Sequence, residues 1–173
     1  MKFSIGLRWE DWEADYSDSL QESFNPTDKM SGGKISLIKN MTNDTNMYAS
    51  LAKGYKQGGF NLGLGLDANA TNKNLAYDPE FLTNYELGIN TKLLDSRITF
   101  NGVLFYSDRK DQQVLISTQT DPSDPNTFSF LTQNAAEGIN HGLEINMDID
   151  INQSLSAFVN LGILKTEIKN WQS

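Results

Sequence analysis

Few positions in this 173-residue chain carry side chains that could do chemistry, and each has a plainer use to be weighed against it. His141, the sole imidazole, is the one candidate for a metal or haem ligand. A lone His at a strand start, with no second His near it, falls short of the ligand number a metal site requires, so a structural role is expected. Asp148 and Asp150 stand two apart and project from one side of an extended strand, as a catalytic carboxylate pair would. A water-facing wall uses acids at that spacing equally well, and this is the expected reading. "GLGLDA" at Gly63–Ala68 matches G-x-G-x-x-A in letters only, because no strand leads in and no helix leads out, and a phosphate cradle needs both. "TDPSDPN" lacks the alternating oxygens and central Gly of a calcium loop, and its two Asp-Pro steps read as turns. No Ser, His and Asp set can be assembled, so neither a catalytic residue nor a cofactor is expected.

The aromatic residues are more informative. Trp9, Trp12, Tyr16, Tyr55, Phe60 and Tyr106 fall near strand ends that lead into long loops, where indole and phenol rings suit a boundary between lipid and water. Further out, Trp12, Tyr16, Phe60 and Phe128 could instead stack on a bound ligand, and Lys56, Gln57 and Asn61 could hydrogen-bond to it. The acidic stretch "EDWEADYSDS" would repel anionic ligands or attract cationic ones, and otherwise reads as a solvated loop.

Composition narrows what these residues can serve. A formal charge of −8 and no cluster of Lys and Arg argue against a nucleic-acid partner. With no cysteine, disulfides, thiolate metal sites and cysteine nucleophiles are excluded. No run of about 18 apolar residues is present, which excludes a transmembrane helix and leaves a transmembrane barrel open. Met1 is followed directly by "KFSIGLRWE" with no apolar signal-peptide segment, so the chain reads as a piece of something larger.

The positioning elements are strands of period two. Phe3, Ile5, Leu7 and Trp9 share a side in the first; "KISLIKN" and "MYASLAKGYK" form a hairpin about "MTNDTN". Tyr85, Leu87, Ile89, Thr91 and Leu93 alternate with polar residues before "LDS", and Ile98, Phe100, Gly102, Leu104 and Tyr106 follow it. The clearest case runs Leu143, Ile145, Met147, Ile149, Ile151 against Gly142, Glu144, Asn146, Asp148, Asp150, before "NQS" turns into "LSAFVNLGILKTEIK". "QVLIS" and "TFSFLTQ" could pair as an extension beyond the sheet. Connections of roughly 20 or more residues alternate with connections of a few, where ordinary domains keep most near 4 to 6. Seven strands about as long as the 9 to 11 residues of a membrane crossing, with long loops on one rim and tight turns on the other, predict an all-β antiparallel meander from a large transmembrane barrel.

Three stretches resemble the TonB-dependent outer-membrane receptors: "MYASLAKGYKQGGFN", "DPEFLTNYELGINTKLLDSRITFNGVLFYSDRKDQQV" and "NAAEGINHGLEINMDIDINQSLSAFVNLGILKTEI", in the family's order. The resemblance implies part of a 22-stranded barrel in the outer membrane of a Gram-negative bacterium. It also implies import of a scarce nutrient, driven by the TonB complex acting on a plug domain. Ferric siderophores, cobalamin, haem and oligosaccharides are the cargo classes it suggests. No plug, TonB box or closing strand with a terminal aromatic is found in the sequence, so a middle segment of a longer receptor is expected. The rival reading is a soluble or secreted all-β carbohydrate-binding or adhesin module.

Overall fold

The computed structural model describes residues 1–17, 23–61, 76–119, 121 and 123–171; "GLGLDA" lies outside them. In chain order the strands are β1 (Lys2–Glu13), β2 (Tyr16–Ser17), β3 (Ser23–Phe24), β4 (Thr27–Asn40), β5 (Thr45–Lys56), β6 (Gly59–Phe60), β7 (Ala76–Tyr77), β8 (Glu80–Leu93), β9 (Ile98–Gln119), β10 (Phe128–Asn152) and β11 (Leu155–Trp171). Seven of them make one sheet in the order β1-β4-β5-β8-β9-β10-β11, every pair antiparallel. This is the expected up-and-down meander. The pairs β2–β3 and β6–β7 are two-residue ribbons in the connections above it.

Register converts the alternation in each strand into rows across the sheet. On the apolar side Ile35, Leu51, Tyr85, Tyr106, His141 and Lys165 form one row, and Leu37, Ala49, Leu87, Leu104, Leu143 and Ile163 form the next. Among the described residues no second layer of polypeptide covers them: Tyr85, Leu87 and Leu104 are 49%, 48% and 54% exposed. From Ile151 up to His141 is about ten residue steps, or about 33 Å along a strand; at a tilt near 40° that gives an apolar band about 25 Å tall, the height of a barrel's lipid-facing belt.

The opposite side is polar, and one of its rows was not foreseen. Asn40, Asn46, Asn90, Asn101, Asn146 and Asn160 stand directly opposite one another across six strands. The Asn90 amide donates to Asn46 Oδ1 at 3.0 Å. Above this row, ring-on-glycine packing sets the wall: Tyr48 lies over Gly88, its cross-strand partner, and Phe105 over Gly142. A Cβ at Gly88 would collide with the Tyr48 ring. Gly88→Val should therefore destabilise the barrel by about 1–3 kcal/mol, read as a lower midpoint of urea unfolding; an unchanged midpoint would show that the ring has room to move.

Three expectations need correction. The first long connection is shorter than expected, because β4 starts at Thr27 rather than after Gly33 and leaves residues 14–26. The third shrinks to residues 120–127, because "QVLIS" and "TFSFLTQ" do pair, Val114 opposite Gln133 through Gln119 opposite Phe128. The asymmetry of the two rims persists, with residues 41–44, 94–97 and 153–154 as the tight turns. Finally, His141 and Tyr106 sit in mid-strand, not at strand ends, because β9 and β10 run to 22 and 25 residues.

"LDS" turns without glycine: Leu94, Asp95 and Ser96 all hold positive φ, of 52°, 54° and 68°. Arg97 closes this corner, its guanidinium donating to the backbone oxygens of Asp150 (3.1 Å) and Ile151 at the foot of β10.

Candidate functional site

The long-loop rim is assembled by polar side chains that bond to backbone. Asp111, with a φ of 54°, marks where β9 changes register against β10, and beyond it the two strands continue as a two-stranded ribbon past the end of β8. A bulge of this kind bends the strand and would leave backbone groups unpaired. Asn134 fills the gap. Its amide donates to the carbonyls of Asp111 (2.7 Å) and Asp78 (2.8 Å), and its Oδ1 accepts from Asp78 N (2.6 Å). Gln113 bridges both ends of the second long connection by donating to the carbonyls of Gln57 (2.8 Å) and Asp78 (3.1 Å). Glu80, only 8% exposed, accepts from Gln113 N (2.9 Å) and pairs with Arg109 at 3.1 Å. A carboxylate this buried requires such partners.

Above this latch three segments converge. Asn61 pairs with the backbone of Thr132 in both directions, donating to its carbonyl (3.0 Å) and accepting from its N–H (2.8 Å). Next to it, Phe60 meets Tyr16 with ring centroids 5.4 Å apart. The first connection, the second connection and the β9–β10 ribbon are thereby tied together.

Of the residues singled out from sequence, Tyr16, Phe60 and Asn61 are brought into one cluster. Gln57 joins the latch through its carbonyl. Lys56 is exposed and lines a cleft of about 240 Å³ with Glu80 and Arg109. Trp12 is half-buried on β1 opposite Asp28, and Phe128 lies apart on the ribbon. There it shares a face with Phe130 and Leu115, and all three are exposed at 52%, 47% and 70%. Sequence reasoning missed Phe130 and Leu115, although the i, i+2 spacing of Phe128 and Phe130 was the available signal. It also missed Gln113 and Asn134, whose role depends on a bulge that strand alternation does not announce.

The acidic stretch is locally compensated where described: Asp11 pairs with Lys29 (3.7 Å), and Asp15 accepts from Asn25. "TDPSDPN" turns as expected, Asp121 accepting from Ser123 N (2.8 Å) and Asp124 from Asn126 N (2.9 Å). Ser123 holds the exposed Asp121 carboxyl below the usual range through its hydroxyl and its N–H.

Burial first, and then the neighbouring Asp78 carboxylate, push Asp28 above the ordinary Asp range. A carboxyl raised in the folded state contributes most stability below its unfolded pKa of about 3.9 and loses it as pH rises through the folded value. Asp28→Asn should accordingly stabilise the rim at pH 7 by under about 1 kcal/mol, the advantage closing near pH 4. Thermal unfolding of the detergent-solubilised protein at the two pH values checks this, and a gap that widens in acid would contradict it.

A single sheet, apolar and uncovered on one side, polar on the other, and latched at one rim is the geometry of a barrel wall. The sequence profile of the TonB dependent receptor-like, beta-barrel family matches residues 1–171. The chain belongs to that family. A segment of this barrel family belongs in the outer membrane. Two solved receptors share its fold. The ferric yersiniabactin uptake receptor FyuA from Yersinia pestis matches with a TM-score of 0.69 at 21% identity, over 96% of this chain and 24% of that one. The copper transporter OprC matches with a TM-score of 0.68 at 14% identity, over 97% and 27%. The chain thus spans about a quarter of the length of these receptors.

Proposed function

We infer that this segment is part of the wall and outer vestibule of a TonB-driven importer for a scarce nutrient, a ferric siderophore or a similar metal-bearing ligand. The observation that carries the reading is the pairing of an uncovered apolar belt with a rim where separate loops present aromatic rings. Tyr16 and Phe60 offer a tilted ring pair, and Phe128 with Phe130 and Leu115 offers an exposed apolar face on the projecting ribbon. Such surfaces suit planar or partly apolar cargo, with Lys56 and Arg109 near enough to the rim to meet its anionic groups. FyuA is a receptor for a ferric siderophore and OprC a copper transporter, which favours metal-bearing cargo here. A soluble carbohydrate-binding or adhesin sheet would need its row of outward Leu and Ile side chains covered, and among the described residues nothing covers them.

The test is uptake of labelled ferric siderophores, with cobalamin, haem and oligosaccharides in parallel, by cells carrying or lacking the receptor, with and without an active TonB complex. Uptake of one class that requires both is expected. The combined change Phe128→Ala and Phe130→Ala should weaken binding about tenfold, at about 0.5–1.5 kcal/mol per lost aromatic contact. Uptake indifferent to TonB would overturn the importer reading, and unchanged affinity would remove the ribbon from the site.

A further inference from the structure

The ribbon that β9 and β10 form past the end of β8 has an edge with no partner among the described residues. β8 last pairs with β9 at Lys110, and β9 runs on to Gln119. In an antiparallel pair, residues that exchange both backbone bonds with the neighbour alternate with residues whose N–H and C=O point away from it. The contacts of Gln113 and Thr132 fix which are which. Gln113 N donates away from β10 to Glu80 (2.9 Å), and Thr132, the register partner of Leu115, gives its N–H and its carbonyl to Asn61 rather than to β9. Val114, Ile116 and Thr118 therefore bond to β10, while Leu115, Ser117 and Gln119 turn both backbone groups to the open side. Among the described residues nothing meets those groups, and all three residues are exposed.

The sequence leaves this edge undefended. Charges crowd β9 just below it, at Asp108, Arg109, Lys110 and Asp111, and stop there. From Gln112 to Gln119, and from Phe128 to Asn134 alongside, there is no charged residue, no Gly and no Pro. Natural sheets blunt an exposed edge with Lys, Pro, a bulge or a covering segment, because a bare edge recruits another strand. The register shift between β9 and β10 lies below the free stretch and does not interrupt it. The face that carries Leu115, Phe128 and Phe130 is also apolar and exposed, so an added strand would find hydrocarbon as well as hydrogen bonds. Only a polypeptide in extended conformation offers paired N–H and C=O groups at the repeat of this edge, roughly 6.8 Å for every second residue.

We propose that the free edge of β9 is a docking site for an extended polypeptide segment, which adds to the ribbon as a further strand. The long-loop rim of such a barrel faces the cell exterior, so the partner is an extracellular protein or peptide. The segment is apolar at every second residue, so that its side chains cover Leu115, and its backbone supplies the affinity. It is uncharged over the residues that pair, because the ribbon has no counter-charge to offer in exchange for lost hydration. The site needs only that the ribbon extend past β8, and it is independent of which cargo is imported.

The probe is a short fluorescein-labelled peptide of alternating Val and Thr, with a twin N-methylated throughout that keeps the side chains and loses every backbone donor. Both are offered to the receptor expressed from its whole gene and purified in mild detergent. Fluorescence anisotropy should show saturable binding of the peptide, and binding at least about tenfold weaker for the twin. Ser117→Pro removes a single donor at a position where an edge strand tolerates Pro, and should weaken the peptide about tenfold. Hydrogen exchange gives a readout on the unsubstituted receptor. The amides of Leu115, Ser117 and Gln119 should exchange rapidly in the free protein and at least about tenfold more slowly with saturating peptide, while that of Ile116 stays protected throughout. Absence of binding, equal binding of the twin, or affinity indifferent to Ser117→Pro would overturn the proposal. So would slow exchange at Leu115, Ser117 and Gln119 before any peptide is added, since the receptor's own chain would then fill the edge.

Discussion

Ile145→Arg should lower the stability of the folded barrel in lipid by about 2–4 kcal/mol, whereas Asn146→Arg, the next residue on the same strand, should change it by less than about 1 kcal/mol. The two substitutions add the same side chain about 3.3 Å apart along β10. They differ in the medium it meets. Ile145 lies in a row with Met47, Ile89, Gly102 and Leu161 near the middle of the apolar belt, far from either water boundary, so an added guanidinium must thin the bilayer or carry water inward. Asn146 stands in the asparagine row on the other side, where an Arg keeps its hydration. Urea unfolding in vesicles, followed by tryptophan fluorescence, measures both. Equal penalties would mean that the two faces share a solvent, and the barrel-wall assignment would then lose its physical basis.

Glu80→Ala should destabilise the long-loop rim by about 2–3 kcal/mol, below the 3–5 kcal/mol of a fully buried pair because the Arg109 side chain stays 37% exposed. Removing the carboxylate leaves the Arg109 guanidinium without its partner and Gln113 N without an acceptor. Arg109→Met alone should cost a similar amount, since it strands Glu80. The double variant Glu80→Leu with Arg109→Met should recover part of the loss, because two apolar groups of similar volume need no partners, although Gln113 N remains unsatisfied. Hydrogen exchange at Gln113 and at Asp78 reads this locally, with faster exchange expected in each single variant. If exchange at both amides stayed at the wild-type rate, the latch would be decorative.

The fold was legible because period two is a short-range signal. Tyr85 through Leu93 and Leu143 through Ile151 declare their apolar side in sequence, and three turns named by their residues fall where the strands reverse. The loop boundaries were harder, because the ribbon from Val114 to Gln119 and Phe128 to Gln133 carries apolar residues on both faces and so shows weak alternation. His141 was misplaced for the same reason: the strand it belongs to continues through a register shift at Ala136 to Gly138 that alternation cannot follow. Of the rim residues, Tyr16, Phe60 and Asn61 were recognisable by type and position, whereas the partners of Asn61 and Asn134 lie 71 and 56 residues away and appear only once the strands are in register. The asparagine row is invisible to any single strand, since each contributes one residue to it.

That row has a property the charged parts of the wall lack. A carboxamide carries a hydrogen donor and an acceptor at once and has no proton to lose near neutrality, so its hydrogen-bonding character is the same in acid and in alkali. Repeated at the strand spacing of about 4.8 Å, the six make a continuous line, slanted across the wall, whose successive steps are chemically identical. A change of pH therefore leaves the donors and acceptors of this line as they are, while the carboxylates of Asp148 and Asp150 on the same face gain or lose charge.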